Sequence, residues 1–390
     1  MRKGSKIAFV MPWHISERGG GAEVQANYLA QELGQRGFTV TYICQTRVPD
    51  KIDTVELIGC VKVCYLKPSG RFQWQDQSKY LKPLKNFEPD YILQRLSSNV
   101  IYVLGKYRKT HNCQLIWFCT DNKSPFSDLY ATKFKKQSGT KRLGFIKHII
   151  FAFNSKLMDY FRNKGMKLVD VAFSQNSFQK EHIKKSFGLD SLHMISGHPI
   201  PDHQIPTSNR FDQKVILWCA NFGAHKRPEL FIELASKMQH TNLKFIMVGG
   251  HSNQNYVETL LKNKPENLTV TGKLSFTEAL SYFDRSTLFV NTSTSGGDGF
   301  PNTFIQSWLR SVPVVTFGFD PDGMISKNKL GYNVNSLNDG SSKIEELCID
   351  YKTYEGMSRH VYKYALEHHS VKIMTDNFLK QLEDEGTALY

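Results

Sequence analysis

Near the start of the chain, Ile7 to Met11 form an unbroken apolar run, followed by Gly19-Gly20-Gly21-Ala22-Glu23. Val24, Tyr28, Leu29 and Leu33 then recur at helical spacing, and Gly37 precedes a second apolar run, Phe38 to Cys44. A continuous apolar run suits a strand covered on both faces, as in parallel sheets. Gly37 supplies a helix stop, because glycine enters the left-handed region at no steric cost. The opening is therefore read as strand, glycine loop, helix, strand. Further strands are expected at Tyr91-Ile92-Leu93, Gln114 to Phe118 and Val169 to Phe173. Strands alternating with helices in this way predict a parallel, doubly wound α/β sheet.

The series restarts at Val215-Ile216-Leu217-Trp218-Cys219. It continues through a helix at Glu229 to Met238 and strands at Leu243 to Val248, Leu288 to Val290 and Val314 to Phe317. Between the two series, Gly197, Pro199, Pro201 and Pro206 lie among polar residues and read as a linker. Expected domains are 1–200 and 211–355, with 201–210 between them and helices over 356–390. A chain of 390 residues is too long for one ordinary core, which agrees with two domains.

No apolar run approaches the roughly 18 residues of a membrane span. The first apolar stretch is too short for a signal peptide and is expected to be a buried strand. The seven cysteines show neither a Cys-x-x-Cys pair nor zinc spacing, and are expected to be free thiols in a reducing cytoplasm. The net charge of +14 is uneven. Residues 1–210 hold 32 Lys+Arg and 16 Asp+Glu, whereas 211–390 hold 18 and 20. The basic half should attract phosphate, anionic lipid or nucleic acid.

Three strand-to-helix loops carry candidate chemistry. The Gly19-Gly20-Gly21 loop lets backbone amides approach an anion at a helix N-terminus. An NAD site would need an acid after the second strand, where Cys44-Gln45-Thr46-Arg47 stands instead. No Gly-Lys-Ser/Thr loop supports an ATP hydrolase. The second loop runs from Thr292 to Asn302 through Gly296-Gly297-Asp298-Gly299-Phe300-Pro301. Its amides suit a diphosphate, Asp298 suits sugar hydroxyls, and Gln306 lies about two turns into the next helix. The third, Cys219 to Glu229, brings Lys226 and Arg227 to the carboxyl end of the second sheet, where open α/β folds bind ligands. A point-charge lysine there is a good phosphate partner.

These elements, in this order, resemble retaining glycosyltransferases of the GT-B fold, in the large glycosyltransferase family 4 (group 1). "GGGAEVQANYLAQELGQRGFTV" is similar to that family's first helix, "HKRPELFIELA" to its phosphate-binding lysine segment, and "DGFPNTFIQSWLRSVPVV" to its most specific motif. The terminal "HHS" break resembles the point where the family's last helix returns to the N-terminal domain. The resemblance implies two Rossmann-like domains facing across a cleft, with the donor mostly against the second. Lys226 would neutralise the diphosphate, and the amides of Gly299, Phe300, Asn302 and Thr303 would hold phosphate and sugar. Loops at Gly249 and at Lys273 and Leu274 would frame base and ribose, while Gly20 and Gly21 would close over the phosphates. Such catalysis is electrostatic and needs neither metal nor cofactor beyond a UDP- or GDP-linked donor. Asp320-Pro321-Asp322 is read as a turn.

Three positions depart from the family. Its two glutamates, seven residues apart, are Asp298 and Gln306 here. An arginine usually paired with the lysine is Asn221, leaving Lys226, with Arg227, to meet the phosphate charge. The catalytic-region histidine is replaced within Phe118-Cys119-Thr120-Asp121-Asn122, and Asp121 is the best match for a polar group near the reacting carbon.

Residues 133–164 hold nine Lys+Arg against Asp159 alone, interleaved with Phe134, Leu143, Phe145, Ile146, Ile149, Ile150, Phe151 and Phe153. This pattern reads as an anchor on an anionic membrane surface. No nucleic-acid motif accompanies it. The expectation is a cytoplasmic, peripherally membrane-associated hexosyltransferase acting on a glycan or lipid-linked acceptor in surface-polysaccharide or glycolipid assembly. Its rivals are a GT-B epimerase or phosphorylase, and a sugar-nucleotide-binding pseudoenzyme.

Overall fold

A computed structural model describes residues 1, 3–138, 144–294 and 296–388. The chain forms two compact units, one of Met1–Ser196 with Met374–Tyr390, the other of Gly197–Ile373.

The first unit is built on an eight-stranded sheet of β1 (Lys6–Trp13), β2 (Thr39–Gln45), β3 (Val55–Ile58), β4 (Val61–Leu66), β5 (Tyr91–Gln94), β6 (Gln114–Phe118), β7 (Val171–Ser174) and β8 (Ser191–His193). Their order is β3-β4-β2-β1-β5-β6-β7-β8. Every pairing is parallel except the β3–β4 hairpin at one edge. Ile7, Ala8, Phe9 and Val10 are buried, as a strand covered on both faces requires. The helix Gly21–Gln35 ends as its glycine predicts. Gly37 has φ +90°, its N–H donates to Gly34 O, and Phe38 N–H donates to Leu33 O, a Schellman stop. The last helix, Val371–Ala388, buries Met374, Phe378 and Leu382. Phe378 packs on Phe118 and Phe173. Gln381 both donates to and accepts from the backbone of His193, covering the β8 edge.

The helix Phe145–Met166 corrects one expectation about the basic stretch. Arg162 is fully buried rather than on a charged surface. Its guanidinium donates to Phe126 O at 2.8 Å, to Ser97 Oγ at 2.5 Å and to Ser124 O, tying down a loop. Asp159 accepts from the N–H groups of Tyr130 and Ala131, both at 2.9 Å, and so caps the helix Leu129–Ser138. Leu143, Lys141 and Arg142 lie outside the described residues.

The second unit carries a wholly parallel sheet of β9 (Val215–Cys219), β10 (Lys244–Val248), β11 (Leu268–Gly272), β12 (Leu288–Asn291), β13 (Val314–Phe317) and β14 (Gly331–Val334). The order β11-β10-β9-β12-β13-β14 reverses direction between β9 and β12. Trp218, Phe231 and Phe245 pack with one buried cluster, and Phe304, Trp308 and Ile325 with another. Residues 201–210 belong to this unit, and Arg210 within them is buried, donating to Asp284 O at 3.2 Å and Ile205 O at 2.5 Å. All seven cysteines are free thiols, and burial pushes Cys219 and Cys348 up to about 12.

Candidate functional site

Where a parallel sheet reverses its winding, the loops after the two central strands diverge and leave a crevice at the carboxyl edge. Here those loops follow β9 and β12, and they contain Lys226 and Asp298. Their side chains form an ion pair, with 18% of the lysine and 25% of the aspartate side chain exposed. The cation and the carboxylate expected from the sequence are thus brought together 72 positions apart.

A second cation is placed differently. Arg227, expected beside the phosphate, sits at φ +45° and turns its guanidinium inward. Nε donates to Thr292 O at 2.6 Å and Nη2 to Phe317 O at 2.5 Å. It links the ends of β12 and β13, so Lys226 remains as the loop's outward cation. Thr292, which the sequence did not single out, completes the joint. Its hydroxyl receives Trp218 Nε1–H at 2.8 Å and donates to the carbonyl of Lys226 at 2.5 Å. Thr294 N–H donates to His225 O at 2.8 Å, and a side chain on Gly297 would meet the His225 ring at 2.7 Å. Only the position of Thr292 just after a buried strand hinted at any of this. Its partners lie 65 to 74 residues away.

Pro301 precedes the short helix Asn302–Trp308 without a side-chain cap. Gly299 is buried, Phe300 packs against His369 and Trp308, and Asn302 and Thr303 are half-buried. Gln306 is buried on that helix at 6% exposure. Gly249 has φ +144°, and a Cβ there would lie 1.8 Å from Ala220 O, so the backbone after β10 passes directly under the β9 loop. Asn221 and Lys273 are exposed, whereas Leu274 packs against the core.

Asp121, Gly20 and Gly21 belong to the first unit. The Asp121 carboxylate is occupied locally, accepting from Lys123 N–H and Ser124 N–H, each at 2.8 Å, and from Ser124 Oγ at 3.0 Å. That makes it a turn cap, a common use of aspartate that a sequence motif does not distinguish from catalysis. At the glycine loop, Glu23 folds back over the helix start. A Cβ on Gly20 would meet its Oε2 at 2.3 Å, and burial raises the carboxyl pKa. The positive end of this helix is therefore already faced by a carboxylate of its own third residue. Asp320 caps too, accepting from Ile325 N–H at 2.7 Å and Ser326 N–H at 3.0 Å, in keeping with the turn expected there. Among the described residues no cluster of three metal-ligating side chains occurs.

His198 supports the Asn302 end of the site. It pairs with Ser370 as an isolated parallel bridge, and its ring hydrogen-bonds the Asn302 side chain. Burial pushes its pKa from 6.5 down to about 3, so the ring stays neutral in the fold. Unfolding then takes up a proton below pH 6.5, and the stability present above that pH is lost as pH falls toward 3. Between about pH 6.5 and 5, wild type should lose about 1.5 kcal/mol more than His198→Gln, the slope rising toward about 1.4 kcal/mol per pH unit. Thermal melts of both proteins across that window check it, and parallel pH profiles would contradict a neutral buried ring.

The fold agrees with comparisons to known proteins. Residues 213–350 match the family model described as glycosyl transferases group 1. Among curated proteins, no relative matches by sequence. Among solved structures, sucrose-phosphate synthase from Thermosynechococcus elongatus is similar at TM-score 0.73, with 13% identity over 99% of this chain and 100% of that one. HepE from Anabaena, in complex with UDP and glucose, is similar at TM-score 0.69, with 12% identity over 97% and 99%. A glycosyltransferase from Rickettsia africae is similar at TM-score 0.69, with 15% identity over 98% and 99%. The chain has the GT-B fold, and its second unit carries the sequence pattern of glycosyl transferases group 1.

Proposed function

We propose that the chain is a glycosyltransferase that moves a hexose from a UDP- or GDP-linked donor to a glycan or lipid-linked acceptor, with retention of configuration. The observation that carries this reading is the Lys226–Asp298 pair at the switch point of the second sheet. In the free protein each side chain satisfies the other. An arriving diphosphate competes for the Lys226 ammonium, and the released Asp298 carboxylate becomes an acceptor for sugar hydroxyls. Lys226 then offsets the charge that builds on the departing diphosphate. In this reading no metal or further cofactor takes part. A cytoplasmic role in surface-polysaccharide or glycolipid assembly fits that donor class. HepE, whose fold is shared, was captured with UDP and glucose.

The competition makes a prediction that a purely structural ion pair does not. Asp298→Asn should tighten binding of the free nucleoside diphosphate by about two- to fivefold, because a partly exposed pair contributes up to about 1 kcal/mol. The same change should lower turnover. Gln306→Ala should weaken nucleotide binding by about two- to tenfold, the range of one neutral hydrogen bond. Calorimetry with UDP and GDP, beside release of nucleoside diphosphate from a panel of nucleotide sugars, checks all three. No release from any donor, with nucleotide still bound, would favour the non-catalytic rival. Unchanged diphosphate affinity in Asp298→Asn would remove the competition.

A further inference from the structure

The helix Phe145–Met166 buries side chains in the first unit only along its later part. From Asn154 onward it buries Asn154, Ser155, Met158 and Arg162. Its first turns stand out: Phe145 is 81% exposed, Ile146 72%, Ile149 51%, Ile150 44% and Phe153 66%. Positions 145, 149 and 153, with 146 and 150 beside them, form one stripe down the helix. Five large apolar side chains left in water on one stripe form a contiguous patch, which a monomeric surface rarely carries without a use.

A hollow of about 290 Å³ adjoins the stripe. Phe72, Trp74, Ile149, Ile150, Phe153 and Leu157 line it, and its walls are almost wholly apolar. Trp74 is fixed there by its Nε1–H donating to Asn154 Oδ1 at 3.0 Å, and Arg71 lies over the Phe151 ring at 3.4 Å. The apolar surface thus extends from the helix onto the neighbouring loop, with a guanidinium at its margin.

The charge around this patch says what covers it. From Leu129 to Met158 the sequence holds seven Lys+Arg and no acid. Of these, Lys133, Lys136, Lys147 and Lys156 are exposed on the two helices. A second copy of the chain would bring the same positive field to the contact, so self-association is opposed. An apolar stripe rimmed by cations matches a layer that is hydrocarbon below and anionic at its face. No helix among the described residues is long and apolar enough to cross a membrane.

We propose that the first turns of this helix, with the Phe72–Trp74 loop, form a docking surface for an anionic lipid bilayer. The stripe enters the boundary between headgroups and acyl chains, and the lysines meet the lipid charge. Arg162 takes no part, being buried. The inference is independent of which sugar the second unit handles, though it suits a lipid-linked acceptor.

Co-sedimentation with phosphatidylcholine vesicles, with or without about 30% phosphatidylglycerol, tests it. Partition onto the anionic vesicles should exceed that onto neutral ones by at least about tenfold and fall with salt, since screening acts within about 8 Å at physiological strength. Phe145→Ser/Ile149→Ser/Phe153→Ser should lower partition at least about tenfold with an unchanged melting temperature, because these side chains are exposed. Lys133→Glu/Lys136→Glu/Lys147→Glu should lower it by about a hundredfold, at about fivefold per cation. Wild type remaining in the supernatant, or a serine variant that binds like wild type, would overturn the proposal. So would light scattering that shows a dimer dispersed by the serine changes without vesicle binding. Nucleotide binding should be the same in every variant, so a failure here leaves the donor-site reading standing, and the reverse.

Discussion

Lys226→Ala is expected to lower turnover by about 10²–10³ while the protein stays folded. Removing one preorganised group that meets charge developing in a transition state has an effect of that size. The ion pair with Asp298 is partly exposed, so its loss should change stability by no more than about 1 kcal/mol. Arg227→Ala provides the contrast. Its guanidinium holds the carbonyls of Thr292 and Phe317, so its loss should register in the melting temperature before it registers in phosphate affinity. Donor turnover and thermal melts on both variants separate the two roles. A Lys226→Ala enzyme within threefold of wild type, measured with the same donor, would take Lys226 out of the chemistry.

Gly249→Ala is expected to be strongly disruptive to the second unit, as Gly331→Ala against Val314 O would be. At φ +144° an L-residue is strained, which costs about 1–3 kcal/mol. The new Cβ would also lie 1.8 Å from Ala220 O, a backbone atom with no rotamer to escape into. Relief requires the β9 and β10 ends to part. That breaks the bonds from Ala220 N–H to Val248 O and Phe222 N–H to Gly250 O, and the shift of Gly249 also pulls its N–H away from Gly272 O at the end of β11. At about 0.5–1.5 kcal/mol each, these bring the total to roughly 3–7 kcal/mol. For a unit of this size the melting temperature should drop by about 10–20 °C. Gly250→Ala is the control, since its Cβ would meet nothing nearer than Lys273 N at 3.5 Å. Equal melting temperatures for Gly249→Ala and wild type would show that the two loops are not bound together in this way.

The sequence alone determined the parallel sheets, the glycine helix stop at Gly37 and the strand-to-helix loops that hold the candidate residues. Those features depend on short-range physics. An apolar run such as Ile7 to Val10 calls for burial on both faces, and a glycine after a helix can enter the left-handed region at no steric cost. The pairing of Lys226 with Asp298 was legible only as two separate motifs. Tertiary structure decided the rest, because the partners of a polar side chain are set by strands that meet far apart in sequence. Arg227 reads as a phosphate partner beside Lys226 and Arg162 as a surface cation in a basic string, yet carbonyls from distant loops turn both into interior ties. Asp121 reads in the sequence as a polar group near the reacting carbon, yet the amides just after it engage its carboxylate as a turn cap, as the amides after Asp320 do in the turn expected there. The stripe from Phe145 to Phe153 reads in the sequence like any core-facing helix. Only the packed structure shows it facing water, because the first residue of this helix that the unit buries is Asn154.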